Sequence, residues 1–280
     1  MKTIALIFCW SAVVIEMVEP GRRTIDVDEL TFVAEDIMRL CGGEVLALRM
    51  RNFVPSAVIE RAREHLFQHP DRGSLGHAAE FTRLGIAFSE VRSEKLRNAY
   101  HRDALINIRR IRRLFGELAS PIDRFRVMLD DAWPAGAHLL SIDDRKCFVG
   151  VCRYQEPGVD LAPHIDDLHW TMPEQVAWRL EYQLSANMYL QVPSTGGELE
   201  IWRIKPDSHR YAALQGGRSY GVRRDQVPFP DLVIKPEVGD LVIINPRFIH
   251  AVRPATEVDR ITLSAFIGVK SWSEPLIFWS

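Results

Sequence analysis

The chain has 280 residues, of which 47% are hydrophobic and 26% are charged, and its formal net charge is -2. This composition is typical of a globular protein long enough for one large or two small domains, and the near-neutral charge gives no case for nucleic-acid binding. The four cysteines lack CxxC or CxxH spacing and so indicate neither a zinc ribbon nor a disulfide framework.

The chain begins with MKTIALIFCWSAVVI, which is apolar from Thr3 to Ile15. A run of this length is too short for a membrane span and matches the core of a secretory signal peptide. The single Lys at the start and the lack of an A-x-A cleavage site speak against secretion, and a strand or helix packed on the domain fits equally well. We therefore expect a cytoplasmic protein without a membrane segment and keep secretion as the minority interpretation.

Helices are predicted between Asp26 and Arg113. DELTFVAEDIMRLCGG has helical apolar spacing and a Gly-Gly stop, and PSAVIERAREHLFQ begins with the start signals Pro55 and Ser56. Between them, EVLALRMRNFV predicts a strand. A third helix is predicted in SEKLRNAYHRDALINIRRIRRLFGEL, where NIRRIRRLF indicates a solvated basic face more than a nucleic-acid site.

From Cys147 onward the chain becomes rich in short β-type runs broken by Pro and Gly. Six are predicted as strands: CFVGVCRY, SANMYLQV, GELEIWRI, DLVIKPEV, DLVIINP and RITLSAFIGV. They indicate a sandwich or barrel flanked by helices, an α+β fold. Since no repeat or low-complexity linker divides the chain, we expect one domain over 1–280, with a mainly helical part that includes some strands at 1–146, a β core at 147–270 and a C-terminal tail at 271–280.

The segment PHIDD, which spans 163–167, places a histidine and two acids beside buried strand sequence. If it continues as a strand, His164 and Asp166 project from one face and Asp167 from the other. Taken alone, an HxD pattern is more often an exposed loop. A third ligand is available in His250, and two His with one carboxylate form the set that binds Fe(II) in oxygenases, although zinc hydrolases use a similar one.

Arg260 lies ten positions after His250 and opens the run RITLS. Strand alternation places Arg260, Thr262 and Ser264 on one face. A guanidinium beside hydroxyl groups is suited to the distal carboxylate of a dicarboxylic cosubstrate. The alternative is an ordinary ion pair with Glu257 or Asp259.

These motifs resemble the Fe(II)- and 2-oxoglutarate-dependent oxygenases, whose core is a double-stranded β-helix of the jelly-roll or cupin-like type. The likeness covers Cys147 to Lys270, in the order RYQEPGVDLAPHID, GGELEIW, VGDLVIINPRFIHAVRP and DRITLSAF. It is closest to the small-molecule branch of N-substituted amino-acid hydroxylases and carrier-free halogenases. One departure is Asp259, which stands where the family often has Gly.

The resemblance implies Fe(II) bound by His164, Asp166 and His250, with 2-oxoglutarate and O2 as cosubstrates. It implies that Arg260, with Thr262, Ser264 and Tyr154, binds 2-oxoglutarate, which is converted to succinate and CO2. The halogenases of this branch replace the metal carboxylate by a small residue so that chloride can bind there. Because Asp166 is present, hydroxylation is the expected reaction.

The expected substrate is a small, amino-acid-like molecule bearing carboxylate or phosphate. Arg83 and Arg223 are candidate contacts, and 203–231, too long for a simple connection, is predicted to be a lid or insertion. Asp167 and His169 are expected to be local contacts, although a register slip would pair Asp166 with His169. Arg253 is expected to form a structural ion pair.

Two alternative functions remain open at this stage. A hydroxylase of protein side chains would have an open groove at the metal. A non-catalytic cupin-like binding module would have a solvent-facing Arg260 and no oxoglutarate pocket.

Overall fold

The computed structural model describes residues 24–75, 78–91, 93–170, 172 and 179–280. Within them lie five α-helices, which we label α1 to α5: Ala34–Cys41, Ser56–His65, Glu94–Arg113, Pro121–Ala132 and Ser208–Gln215. Short 3-10 turns occupy Glu29–Thr31, Phe88–Glu90, Leu168–Trp170 and Arg224–Gln226. The three helices predicted before Arg113 correspond to α1, α2 and α3.

Strands β1 to β16 follow in chain order: Thr24–Asp26, Ala47–Met50, Gly73–Leu75, Ala78–Leu84, Ala137–Leu139, Ser141–Ile142, Arg145–Lys146, Val151–Gln155, Leu161–His164, Tyr182–Gln191, Leu199–Ile201, Leu232–Ile234, Leu241–Ile244, His250–Val252, Arg260–Val269 and Leu276–Trp279. All six predicted strands of the second half are present, as β8, β10, β11, β12, β13 and β15. The strand predicted in EVLALRMRNFV is β2.

The strands form a large sheet and a small sheet. The large sheet has the order β1-β2-β13-β10-β15-β8-β4-β3, with β16 paired to β15 and β5, while the small sheet has the order β12-β11-β14-β9. A separate hairpin joins β6 and β7. Side chains from both sheets line one cavity, so the predicted α+β fold with a jelly-roll core is confirmed.

Alternation along β15 separates the main hydrophobic core from the cavity. Ile261, Leu263 and Ile267 are buried in the main hydrophobic core, whereas Thr262 and Ser264 are hydrogen-bonded to each other on the opposite face. This follows from the period of two in a strand. The face predicted to carry the cosubstrate residues is therefore the one that the structure turns away from the core.

Helix α3 packs one apolar face against the main hydrophobic core. Its buried residues Tyr100, Ala104, Ile108 and Ile111 recur at helical spacing. The side chain of Ser93 accepts a hydrogen bond from the Leu96 amide and caps its start. The arginines of NIRRIRRLF lie in its last turns, and Arg112 pairs with Asp123 on α4 at 2.5 Å.

One boundary expected from the sequence needs correction. The segment 271–280 is not a tail, because β16 pairs with β15 and with β5 in the large sheet. The part before 147 contains strands as well as helices, as expected, and of these strands β2 and β4 pair with core strands β13 and β8. Short apolar runs such as LIFW carry too little periodicity to reveal their partners.

Three cysteines, Cys41, Cys147 and Cys152, are buried and free. Desolvation by burial raises the pKa of each thiol to about 12, so they are protonated at neutral pH, as expected for reduced core cysteines. The apolar stretch Thr3 to Ile15 and Cys9 lie outside the described residues. Among the helices that are described, none combines the length and the apolar character needed to cross a membrane.

The loop between β10 and β11 provides a test of the fold. Gly196 has φ +79°, and a Cβ there would lie 1.9 Å from the carbonyl oxygen of Pro254. Gly217 has φ +81° but no atom within 4 Å of such a Cβ. Both Ala substitutions carry backbone strain of about 1 to 3 kcal/mol, but only Gly196→Ala also displaces backbone.

We expect Gly196→Ala to unfold at a lower urea concentration than Gly217→Ala; equal midpoints would contradict this loop packing.

Candidate metal centre and cosubstrate pocket

Two histidines face each other across a pair of antiparallel strands. His250 opens β14 and His164 ends β9, and these two residues are direct register partners. Their ring centroids lie 4.2 Å apart, and both residues are 6% exposed. Backbone pairing of the small sheet therefore brings the two imidazoles together.

The hydrogen bonds of both imidazoles fix the tautomer. Nδ1 of His164 lies 2.8 Å from the carbonyl oxygen of Ala162, and Nδ1 of His250 lies 3.0 Å from that of Phe248. Because a carbonyl only accepts, Nδ1 carries the hydrogen and Nε2 keeps a free lone pair. Each ring therefore presents Nε2 as a metal ligand.

Burial keeps these rings neutral. Desolvation, with a smaller contribution from the nearby His164, lowers the pKa of His250 to about 4, although the charge of Asp166 opposes the shift. Desolvation also lowers the pKa of His164, against the opposing charge of Asp166. Neutral imidazoles at physiological pH are the form that binds metal.

Asp166 joins the pair from a loop. Strand β9 ends at His164, so the predicted strand alternation is not what aligns Asp166 with it. The Asp166 amide donates to the carbonyl of Pro246 at 2.9 Å, and the neighbouring Ile165 is buried. A carboxylate oxygen of Asp166 then lies 3.9 Å from Nε2 of His250.

Asp167 and His169 hold this loop from the other side. Asp167 contacts Nδ1 of His169 at 2.7 Å and Nε of Arg247 at 3.4 Å. Arg247, which is 6% exposed, also donates to the carbonyl of Glu181 at 3.0 Å. Asp167 and His169 are thus local contacts, as predicted. The alternative pairing of Asp166 with His169 is wrong.

The three candidate ligands fit a divalent metal. One ligand atom each from His164, Asp166 and His250 lie within 4.8 Å of one another. Two neutral imidazoles and one carboxylate, with the remaining directions facing a cavity, form the facial set of non-heme Fe(II) oxygenases. The predicted ligand set is therefore brought together by the structure.

Arg260 lies in the cavity with part of its guanidinium unpaired. It is 6% exposed, donates to the Tyr189 hydroxyl at 3.0 Å, and its buried Nε has no partner among the described residues. The alternative ion pair with Asp259 is wrong, because Asp259 pairs with Arg72 at 2.9 Å. A buried guanidinium with an unused donor fits the distal carboxylate of 2-oxoglutarate.

Hydroxyl and amide groups continue from Arg260 along the cavity face. The hydroxyls of Thr262 and Ser264 lie 3.3 Å apart, and Ser264 donates to the amide oxygen of Asn187 at 2.7 Å. Arg260, Ser264 and Asn187 line the cavity together with Asp166 and His250. Asn187, which the sequence analysis missed, enters because β10 pairs it with Ser264.

Tyr154 does not belong to this pocket. Its hydroxyl donates to the carbonyl of Leu66 at 2.7 Å, and Arg72 stacks over its ring at 4.0 Å. It is part of the main hydrophobic core on the far face of β8. The prediction that Tyr154 binds 2-oxoglutarate is therefore wrong, because strand alternation points it away from the cavity.

The two predicted substrate arginines are engaged in ion pairs. Arg83 forms two hydrogen bonds with Glu90, at 2.7 and 2.6 Å. Arg223 pairs with Asp225 and its side chain is 64% exposed. Neither lines the cavity, so their expected role as substrate contacts is corrected; Arg253 does form its predicted ion pair, with Glu200 at 2.7 Å.

The insertion 203–231 packs on the strand that carries His164. The Val222 amide donates to the Pro163 carbonyl at 2.7 Å, and the Tyr220 ring lies 5.3 Å from the His164 ring. Arg224 bridges from it to Asp160 and Glu200. The insertion therefore packs beside the candidate metal site.

Arg153 is a second cavity residue that the sequence did not reveal. It lies on β8 opposite Thr262 and lines the cavity with Asp166 and Arg260. Its charge contributes to lowering the pKa of both His164 and His250. A charged residue within the otherwise apolar run VGVCRY was the available signal, since it alternates with the core residues Cys152 and Tyr154.

A family model for the carrier-protein-independent halogenase WelO5 matches residues 23–280. The chain belongs to this family. The earlier resemblance to Fe(II)- and 2-oxoglutarate-dependent oxygenases is thereby confirmed, and the protein is an enzyme of that class.

Relatives of known activity are similar over most or part of the chain. The L-gamma-glutamyl-L-propargylglycine hydroxylase of Streptantibioticus cattleyicolor is 25% identical over 266 residues, covering 91% of this chain and 95% of the relative. The L-isoleucine 3(1)-dioxygenase of Pantoea ananatis is 27% identical over 146 residues, covering 48% of this chain and 47% of the relative.

Among solved structures, an N-substituted L-amino acid dioxygenase from Burkholderia ambifaria in complex with alpha-KG has the same fold. It superposes with a TM-score of 0.58 at 19% identity, covering 88% of this chain and 91% of that one.

Metal binding tests the ligand set and its register. We expect Asp166→Ala to weaken Ni(II) binding by about 100-fold or more, because it removes the only anionic ligand of the set, whereas loss of an outer partner costs about 10- to 100-fold. His169→Ala should weaken it much less, because His169 contacts Asp167, which is not a ligand. Isothermal titration of the metal-stripped proteins measures both; a larger loss from His169→Ala would support the alternative register.

Cosubstrate binding tests Arg260. We expect Arg260→Ala to raise the 2-oxoglutarate requirement by at least about 30-fold, the effect of about 2 kcal/mol lost from a charged contact. Arg260→Lys should also be impaired, because an ammonium does not reproduce the planar fork. Arg223→Ala is the matched control on an exposed arginine and should leave the requirement unchanged. An unchanged requirement in Arg260→Ala would exclude this role.

Proposed function

We propose that the protein hydroxylates an unactivated C–H bond of a small, amino-acid-like acid. The reaction consumes O2 and 2-oxoglutarate and releases succinate and CO2, with one oxygen atom entering the hydroxyl group and the other entering succinate. The observation that carries this proposal is Asp166, a carboxylate within reach of His164 and His250. Because Asp166 would fill the ligand position that a halide needs, the ligand set favours hydroxylation over halogenation.

Each part of the site has a distinct task in this reaction. His164, Asp166 and His250 would hold Fe(II), which, when bound with 2-oxoglutarate, supplies the O2-dependent oxidation. Arg260 binds the distal carboxylate of 2-oxoglutarate and so sets its orientation. The insertion 203–231, through Tyr220 against His164, limits the access of water to the metal.

The substrate class is inferred from the relatives. Relatives that are similar to this chain act, by their names, on L-gamma-glutamyl-L-propargylglycine and on L-isoleucine. Both names denote amino-acid compounds, which supports an amino-acid-like substrate. The cytoplasmic location stays a prediction.

The other two functions receive less support. A protein side-chain hydroxylase would need an open groove, whereas the insertion 203–231 packs against the strand that carries His164. A non-catalytic module would have a solvent-facing Arg260, whereas Arg260 is 6% exposed and its Nε is unpaired within the described residues.

The choice between hydroxylation and halogenation can be tested at Asp166. The wild type should hydroxylate even in high chloride, because Asp166 occupies the position a halide would need. Asp166→Gly should lose most hydroxylation, since loss of an anionic ligand weakens iron binding, and the vacated position then becomes available to chloride. Mass spectrometry of products formed in chloride buffer distinguishes the two. A chlorinated product from the wild type would mean that Asp166 is not a ligand.

A further inference from the structure

Arg153 is a cavity-lining cation for which the oxygenase reaction so far has no task. On β8 it is the one residue of Val151–Gln155 that is not fully buried, and it shares the cavity with Asp166, Asn187 and Arg260. Its strand places it between Thr262 of β15 and Arg83 of β4, which are its register partners. It therefore points to the same face as the cosubstrate residues.

Four other arginines form ion pairs with acidic side chains. Arg83 is paired with Glu90, Arg224 with Asp160 and Glu200, Arg253 with Glu200, and Arg247 with Asp167. None of the ion pairs between described residues includes Arg153. Glu90 is also occupied by the Ala87 amide at 3.0 Å, so it is committed to its own loop.

Two guanidinium groups and one carboxylate are the charged side chains that line the cavity: Arg153, Arg260 and Asp166. Asp166 would be engaged by the metal, and Arg260 by the distal carboxylate of 2-oxoglutarate. The Arg153 guanidinium is then left without a carboxylate partner among the described residues, and such a group favours an anionic ligand.

Arg153 and Arg260 occupy different places along the cavity. Arg260, which donates to the Tyr189 hydroxyl at 3.0 Å, opens β15 opposite Gln155, whereas Arg153 lies opposite Thr262, two residues further along the same strand face. Arg153 lines the cavity together with the candidate ligands Asp166 and His250. An anion on Arg153 would therefore be held in the cavity that the metal ligands share, apart from the anion on Arg260.

We infer that Arg153 binds the carboxylate of the substrate and selects acids over neutral amides. This rests on the proposed function and assigns the two cavity arginines to two different acids: Arg260 to the cosubstrate and Arg153 to the substrate. Planar guanidinium groups form paired hydrogen bonds with carboxylates. A carboxylate on Arg153 could also come from the metal-bound end of 2-oxoglutarate, and the experiment separates these two sources.

The first arm measures 2-oxoglutarate alone. The Fe(II)-loaded protein is titrated anaerobically with 2-oxoglutarate, following the visible charge-transfer band. Arg153→Gln should keep the affinity within about 3-fold of wild type, whereas Arg260→Ala loses at least about 30-fold. A loss in Arg153→Gln as large as in Arg260→Ala would overturn the inference, because Arg153 would then serve the cosubstrate.

The second arm adds aliphatic L-amino acids and N-acetyl-L-amino acids, each beside its carboxamide, and follows the change they cause in the same band. In wild type, a bound acid should outcompete its carboxamide by about 30-fold, the effect of about 2 kcal/mol. Arg153→Gln should remove this preference, and Arg153→Lys should restore part of it. Arg83→Gln, a change on the neighbouring strand, should leave the preference intact.

The outcomes are separable. Equal binding of acids and carboxamides to wild type, or binding of no acid while 2-oxoglutarate still binds, would overturn the inference and leave the oxygenase assignment in place. Failure of wild type to bind 2-oxoglutarate would instead refute the proposed function, and the inference with it.

Discussion

The register of two short strands is the constraint on which the site depends. Pairing of β14 with β9 sets His250 opposite His164, with ring centroids 4.2 Å apart. Two neutral imidazoles can approach this closely, whereas two imidazolium ions would repel each other in a buried site. Burial, which lowers the pKa of both rings, and the carbonyls that accept from each Nδ1 are therefore what make the pair a metal-binding unit.

The carboxylate ligand depends on a different interaction, between loops. Asp166 follows the end of β9, and its amide is bound to the Pro246 carbonyl in the turn that leads to His250. Arg247 in that same turn contacts Asp167, so the two segments that carry the ligands are joined by one hydrogen bond and one ion pair. The turn that leads to His250 thus also holds the loop of Asp166, which explains why residues distant in sequence form one site.

Sequence reasoning found the residues of the metal site but not the reason for their geometry. His164, Asp166, His250 and Arg260 follow from residue type and order, yet Asp166 reaches the site through a loop and not through strand alternation. Alternation did hold within β8, where it places Tyr154 in the core and Arg153 in the cavity. The sequence prediction selected Tyr154 instead of Arg153. Which face of a strand points to the cavity depends on the strand's long-range partners, and the local pattern does not encode them.

The arginines show why residue type alone does not identify ligand contacts. Arg83 and Arg223 were chosen for their charge, but each is satisfied by an acid close in sequence, Glu90 or Asp225. Ion pairing is worth little where solvent competes and more where burial excludes it, so a paired arginine has little left to offer a ligand. What distinguishes Arg153 and Arg260 is that they face the cavity without a carboxylate partner among the described residues. The binding capacity of this pocket is therefore set by which charges the fold leaves unpaired, and two such guanidinium groups match the proposed reaction, in which the substrate and 2-oxoglutarate are both acids.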